Sequence, residues 1–147
     1  MIDSYRNHIP KIALFDDADR ALARWSGMFR LALISDGPLA VQQRKVDALG
    51  LKRRLGRIIL TDQWGSAYWK PHPQAFLEIE RTWGTAPSAC VYIADNGVKD
   101  FIAPRQRGWQ TIQIRRPEGV YRDLAPPVGG EPQWRVDSLD TIELTSL

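Results

Sequence analysis

Three short polar clusters in this chain have the residue types that handle a phosphate group: Ser35-Asp36-Gly37, Lys70-Pro71-His72-Pro73 and Asp95-Asn96-Gly97-Val98-Lys99-Asp100. A hydroxyl and backbone N–H groups at a helix start suit a phosphate oxygen, because unpaired donors and the helix dipole favour an anion there. A lysine adds a compact point charge to the same group. Carboxylates such as Asp95 and Asp100 are hard oxygen ligands that can hold Mg²⁺ together with water. Hydroxyl, ammonium and metal together would clamp a transferring phosphoryl group and stabilise its transition-state charge. Each residue also has a plainer reading. Ser35 could simply cap a helix, Lys70 could be a solvated loop lysine, and Asp95 and Asp100 could be a turn acid and a helix-surface acid.

Clusters so far apart can cooperate only if the fold sets them on one rim. Four continuous apolar runs, 31–34, 58–60, 91–94 and 111–114, predict buried parallel strands, and a fifth, 11–15, is also strand-like. Between them lie helical segments at 19–29, 38–49, 73–83 and 99–107, the last three closed by Gly50, Gly84 and Gly108. Alternation of strand and helix predicts an α/β domain, a Rossmann-like parallel sheet with flanking helices. In such sheets ligands bind at the carboxyl ends of strands, where all three clusters fall.

The 147 residues suit one domain, and 44% apolar with 25% charged residues is an ordinary globular composition. The net charge of +3 is scattered, with knots at 52–57 and 115–116 but no basic stripe interleaved with aromatics, so no nucleic-acid partner is expected. Cys90 is the only cysteine, which excludes an internal disulfide and suits a core thiol. No signal-peptide-like stretch opens the chain and no run is long enough to span a bilayer, so a cytoplasmic protein without a membrane partner is expected. The Pro- and Gly-rich stretch 125–133 reads as a surface loop before a last strand.

The three clusters, in this order, resemble motifs II, III and IV of the haloacid dehalogenase-like hydrolases. Steps of 35 residues from Ser35 to Lys70, 25 from Lys70 to Asp95 and 5 from Asp95 to Asp100 fit βα units. Tyr5-Arg6, His8 and Pro10 are similar to the linker that leaves the family's helical cap, so residues 1–10 read as a remnant of that linker ahead of a single core domain. The resemblance implies a phosphatase-type hydrolase acting on a small phosphorylated metabolite. It implies phosphate binding by Ser35, Asp36 and Gly37, and positioning of phosphate and nucleophile by Lys70. It also implies Mg²⁺ held by Asp95 and Asp100. Ala94 stands where the family usually has glycine.

The family's motif I, a strand ending in Asp-x-Asp, has one candidate here, Asp17-Ala18-Asp19 after the run 11–15. By the resemblance Asp17 would attack phosphorus and Asp19 would act as acid and base. Only 18 residues separate Asp17 from Ser35, too few for the turn and hairpin that follow motif I in the family. Asp16 or Asp17 better suits the cap of the helix at 19–29. The cap and the first motif strand are thus missing by this reading. The chain is then a part of a longer phosphatase, a non-catalytic phosphate-binding or assembly module, or a domain in which the run 11–15 fills the vacant central strand position; failing that, a homo-oligomer or a missing N-terminal half would complete the sheet. A receiver-like phosphoacceptor domain is the remote alternative, with Asp62 as acceptor. Against it, the chain runs on through two more strands after Lys70.

Overall fold

The computed structural model describes residues 11–144 and divides into two compact units, Met1–Trp69 and Lys70–Leu147. Residues 1–10, read above as a cap linker, lie outside the described residues.

The first unit holds α1 (Asp16–Trp25), β1 (Ala32–Ser35), α2 (Leu39–Ala48) and β2 (Arg57–Leu60). β1 and β2 are parallel, in register from Ala32 opposite Arg57 to Ser35 opposite Leu60. Their shared apolar face meets α2 in a cluster of buried Val46, Leu51 and Leu60, with Leu14, Leu22, Leu33 and Leu39 packed against it. Two expectations change here. Residues 11–15 form no strand, and Ile12 and Phe15 are 41% and 65% exposed, so only Leu14 of that run reaches the core. The helix also begins at Asp16 and stops at Trp25, rather than spanning 19–29. Phe15 occupies the cap position and no side chain caps it. Asp16, Asp17 and Asp19 instead line the first turn, where acids favour the dipole without capping.

The second unit holds α3 (Gln74–Trp83), β3 (Val91–Ala94), α4 (Ile102–Arg107), β4 (Gln110–Ile114) and β5 (Trp134–Val136). The strands form a parallel sheet in the order β3-β4-β5. α3 presents Ala75, Phe76 and Ile79 to the core, and Gly84 ends it in the left-handed conformation at φ 59°. Phe76 is fully buried and meets the edges of Tyr92 and Trp109 at 5.0 and 5.2 Å between ring centroids. Fully buried Phe101 and nearly buried Ile112 complete the packing. Residues 116–133 run in turns and irregular backbone, with Val128 fully exposed, as a surface loop should.

α4 starts at Ile102 rather than Lys99. The preceding residues are occupied by a side-chain network. Asn96 Oδ1 accepts from the Val98 N–H at 3.0 Å, and Asp100 Oδ2 accepts from the Asn96 N–H at 3.0 Å. Such local bonds compete with the helical pattern and hold these residues as a loop.

Glu80 of α3 is the main polar tie in this unit. It accepts from Arg107 Nε at 3.0 Å and Trp109 Nε1 at 2.9 Å, and pairs with Arg107 Nη2 as well. The Arg107 hydrogen bonds hold its carboxyl below the usual carboxylate range against the opposing effect of burial, and the Trp109 bond and the Arg107 charge add to the lowering. A carboxylate with a depressed pKa stabilises the fold above its unfolded value, and that contribution disappears as pH falls through the folded value. Glu80→Gln is therefore expected to cost about 1.5–3 kcal/mol at neutral pH, the usual worth of hydrogen bonds to a charged group. In an acid series of urea unfolding curves, the gap between variant and wild type should close as Glu80 protonates. A gap that stays constant with pH would contradict this role.

Burial, aided by the Glu80 charge, pushes the Cys90 thiol up, which fits a core residue rather than a reactive one. Among the described residues no helix is long and apolar enough to cross a membrane.

Candidate functional site

In the first unit, the C-terminal end of β1 turns through Ser35-Asp36-Gly37-Pro38 into α2. The end of β2 braces that turn. Thr61, fully buried, donates its hydroxyl to Asp36 Oδ1 at 2.7 Å, with the Ser35 carbonyl a further acceptor at 3.2 Å. Asp62 Oδ2 accepts the Leu39 N–H at 2.9 Å, and its Oδ1 accepts from Trp69 Nε1 at 3.2 Å. The Ser35 hydroxyl donates to Gln42 Oε1 at 2.9 Å. Loop and helix start are thus braced by side chains of the same unit.

Asp17 and Asp19 belong to this unit too, in the first turn of α1. Asp17 is buried, while Asp19 pairs with Arg54 Nη1 at 2.5 Å and its carbonyl accepts from Arg54 Nη2. Asp62, the acceptor in the receiver-like alternative, has both carboxylate oxygens engaged.

The second unit brings Lys70, Asp95 and Asp100 to one end of β3. The Lys70–Pro71 peptide bond is cis. Lys70 Nζ donates to the Tyr92 hydroxyl at 2.8 Å and lies 3.3 Å from Asp100 Oδ1. Both charged side chains are buried, 8% and 5% exposed. Asp100 Oδ1 is enclosed and accepts no hydrogen bond, so the lysine meets it as an ion pair. Burial pushes the Asp100 carboxyl above the usual range. The Lys70 ammonium and the Asn96 N–H pull the other way, and the nearby Asp95 charge adds to the rise. Asp95 follows β3 directly, is exposed, and has its carbonyl held by Gln113 Nε2 at 3.2 Å. The amide of Gln113 lies against Gly97, where a Cβ would come within 2.9 Å of Nε2.

This donor set suits Mg²⁺ in one respect. The exposed Asp95 carboxylate and the buried Asp100 carboxylate, whose Oδ1 faces Lys70 without a hydrogen bond, are hard ligands on one loop, and Mg²⁺ commonly takes one or two carboxylates with water and substrate phosphate. Among the described residues no group of three or more His, Cys, Asp and Glu gathers as a metal cage.

The sequence reading missed Tyr92, Thr61, Gln42 and Gln113. Two of them left a signal: Thr61 and Gln113 are polar residues inside or just beyond apolar strands, where a buried polar group needs a partner. Gln42 looked like any helix-surface residue, and Tyr92 like any core aromatic.

A family profile described as haloacid dehalogenase-like hydrolase matches residues 7–108. The chain is 31% identical over 110 residues to a glyceraldehyde 3-phosphate phosphatase of Methanopyrus kandleri, covering 74% of this chain and 46% of that protein. It is 25% identical over 116 residues to an (S)-2-haloacid dehalogenase of Xanthobacter autotrophicus, covering 78% of this chain and 44% of that one. The chain thus spans about half the length of the curated relatives it matches. The magnesium-bound structure of the HAD-hydrolase YfnB from Bacillus subtilis has the same fold, with TM-score 0.70 at 19% identity over 86% of this chain and 53% of that one. Parallel strands with flanking helices, the Ser35, Lys70 and Asp95–Asp100 clusters after their strands, and the matching profile agree: this chain belongs to the haloacid dehalogenase-like hydrolase family.

Proposed function

We propose that the chain carries the phosphate- and metal-binding part of a phosphatase-type hydrolase that acts on a small phosphorylated metabolite. The observation that carries this reading is the buried Lys70 ammonium, held by the Tyr92 hydroxyl and Asp100 at the end of β3, beside Asp95. A lysine fixed in that way presents a positive charge in a low-dielectric place, where it acts strongly on a phosphoryl oxygen. Ser35, with Asp36 and Gly37 behind it, would bind phosphate. Asp95 and Asp100 would hold Mg²⁺, whose charge offsets that of the phosphoryl group when it is bound. The phosphatase of Methanopyrus kandleri supports phosphate chemistry over dehalogenation by its higher identity.

A second reading, a non-catalytic phosphate-binding module, is favoured by the placement of the nucleophile candidates. Asp17 and Asp19 lie in a helix rather than at a strand end, and Asp19 is committed to Arg54. One experiment separates the two: Mg²⁺-dependent hydrolysis of an aryl phosphate by the 147-residue chain beside Asp95→Asn, purified identically. Hydrolysis that falls at least about 100-fold in the variant, the range for removing one electrostatic stabiliser, marks an enzyme with an in-chain nucleophile. Equal or absent hydrolysis in both selects a chain without its own nucleophile: the non-catalytic binding module, or a part whose missing N-terminal half supplies that residue.

A further inference from the structure

The Ser35 hydroxyl is already committed. It donates to Gln42 Oε1 at 2.9 Å, and Gln42 lies in the first turn of α2 with its own N–H on the Pro38 carbonyl. The side chain folds back over the loop onto Gly37. A Cβ at Gly37 would stand 2.6 Å from Gln42 Nε2 and 3.2 Å from its Cδ, and φ at Gly37 is +117°, a conformation that side chains rarely adopt. The glycine is therefore the seat of the Gln42 carboxamide as much as a turn residue.

The rest of the loop is braced from below. Thr61 fixes Asp36, and Asp62 takes the first helical N–H of α2. That second bond matters for an incoming anion. A carboxylate at the helix start already meets the dipole, so a ligand gains little from that end of α2 and must draw on side-chain donors. Two such donors lie together, the Ser35 O–H and the Gln42 Nε2–H₂.

We propose that Gln42 is a second anion-contacting residue of this loop. In this structure its Oε1 holds the Ser35 hydroxyl. With a phosphate oxyanion present, the carboxamide turns its Nε2 donors toward the ligand beside the released hydroxyl. No bond is made or broken in this exchange; one hydrogen-bond acceptor replaces another. The inference deepens the phosphate reading of Ser35 and rests on it.

The test is a titration of the full chain with inorganic phosphate, followed by ¹H–¹⁵N NMR. The Gln42 side-chain amide pair is identified by its loss in Gln42→Glu and in Gln42→Met, which keeps the length without the donors. Wild type should show that pair shifting and saturating with phosphate. Gln42→Glu should bind phosphate at least about tenfold more weakly, the worth of one hydrogen bond to a charged group, and Gln42→Met should also weaken it. The dispersed backbone spectrum of each variant reports that it is folded. If Ser35→Ala weakens binding while the Gln42 amide stays still and both Gln42 variants bind as wild type does, the proposal is overturned and the Ser35 reading survives. Phosphate binding that Ser35→Ala leaves unchanged, or no binding at all, overturns both.

Discussion

Phe76→Ala should lower the free energy of unfolding by about 3–5 kcal/mol, the usual cost of deleting a fully buried aromatic ring. The ring is wholly enclosed and supports two edge contacts, with Tyr92 at 5.0 Å and Trp109 at 5.2 Å. Each such contact adds roughly 0.5–1.5 kcal/mol beyond area burial. Tyr92 in turn carries the hydroxyl that holds Lys70. A hole at residue 76 thus leaves Tyr92 with one fewer wall, and loss of stability should be accompanied by a changed near-ultraviolet dichroism of the aromatic cluster. Urea midpoints with unchanged slope give the number. A loss under about 1 kcal/mol would show that the packing around α3 is not the centre of this unit's core.

Lys70→Met should be nearly as costly, for an electrostatic reason. Lys70 and Asp100 are both buried, and burial already holds Asp100 above the usual carboxylate range in spite of the lysine. Taking away the ammonium leaves a carboxylate in a poor environment, a loss of about 3–5 kcal/mol when one partner of a buried pair is removed. The double variant Lys70→Met/Asp100→Asn removes both charges and should recover most of the stability, so the two single costs do not add. Strictly additive costs would mean that the pair at 3.3 Å contributes nothing as a pair. Phosphate binding should not return with stability in the double variant, since its positive charge is gone.

These two residues differ in how far the sequence exposed them. Phe76 was readable because residues 76, 79 and 83 fall on one face of a helix, and Phe76 and Ile79 are indeed enclosed. β3 matched its apolar run residue for residue, and β1, β2 and β4 matched to within a residue at either end. Such strands are continuous apolar stretches, and that pattern survives without knowledge of neighbours. The run at 11–15 has the same composition and no strand. A short apolar stretch does not reveal whether anything will cover it, and here Ile12 and Phe15 remain exposed.

The site divides in the same way. Lys70, Asp95, Asp100 and Ser35 could be singled out as candidates because they follow apolar strands on the side where parallel sheets bind ligands. Their holders were not legible. Tyr92 meets Lys70 across 22 positions of sequence, and Thr61 meets Asp36 across 25. Only the fold determines such pairs. The start of α4 shows the converse: Asn96 and Asp100 are close in sequence, yet the bonds that displace the helix depend on a side-chain orientation that composition does not encode.

The amide of Gln113 against Gly97 repeats, on the second unit, what Gln42 does against Gly37 on the first. Each glycine leaves a gap the size of a methyl group, and each glutamine fills it. A Cβ on the glycine would meet the amide at 2.6 Å for Gly37 or 2.9 Å for Gly97, and the glutamine would have to swing aside to admit it. A shorter residue in place of the glutamine would leave a void and an unmet polar group. Growth at either glycine would thus be answered first by the glutamine that faces it, so each pair couples the backbone course of its loop, the one carrying Ser35 or the one carrying Asp95, to the rotamer of one side chain.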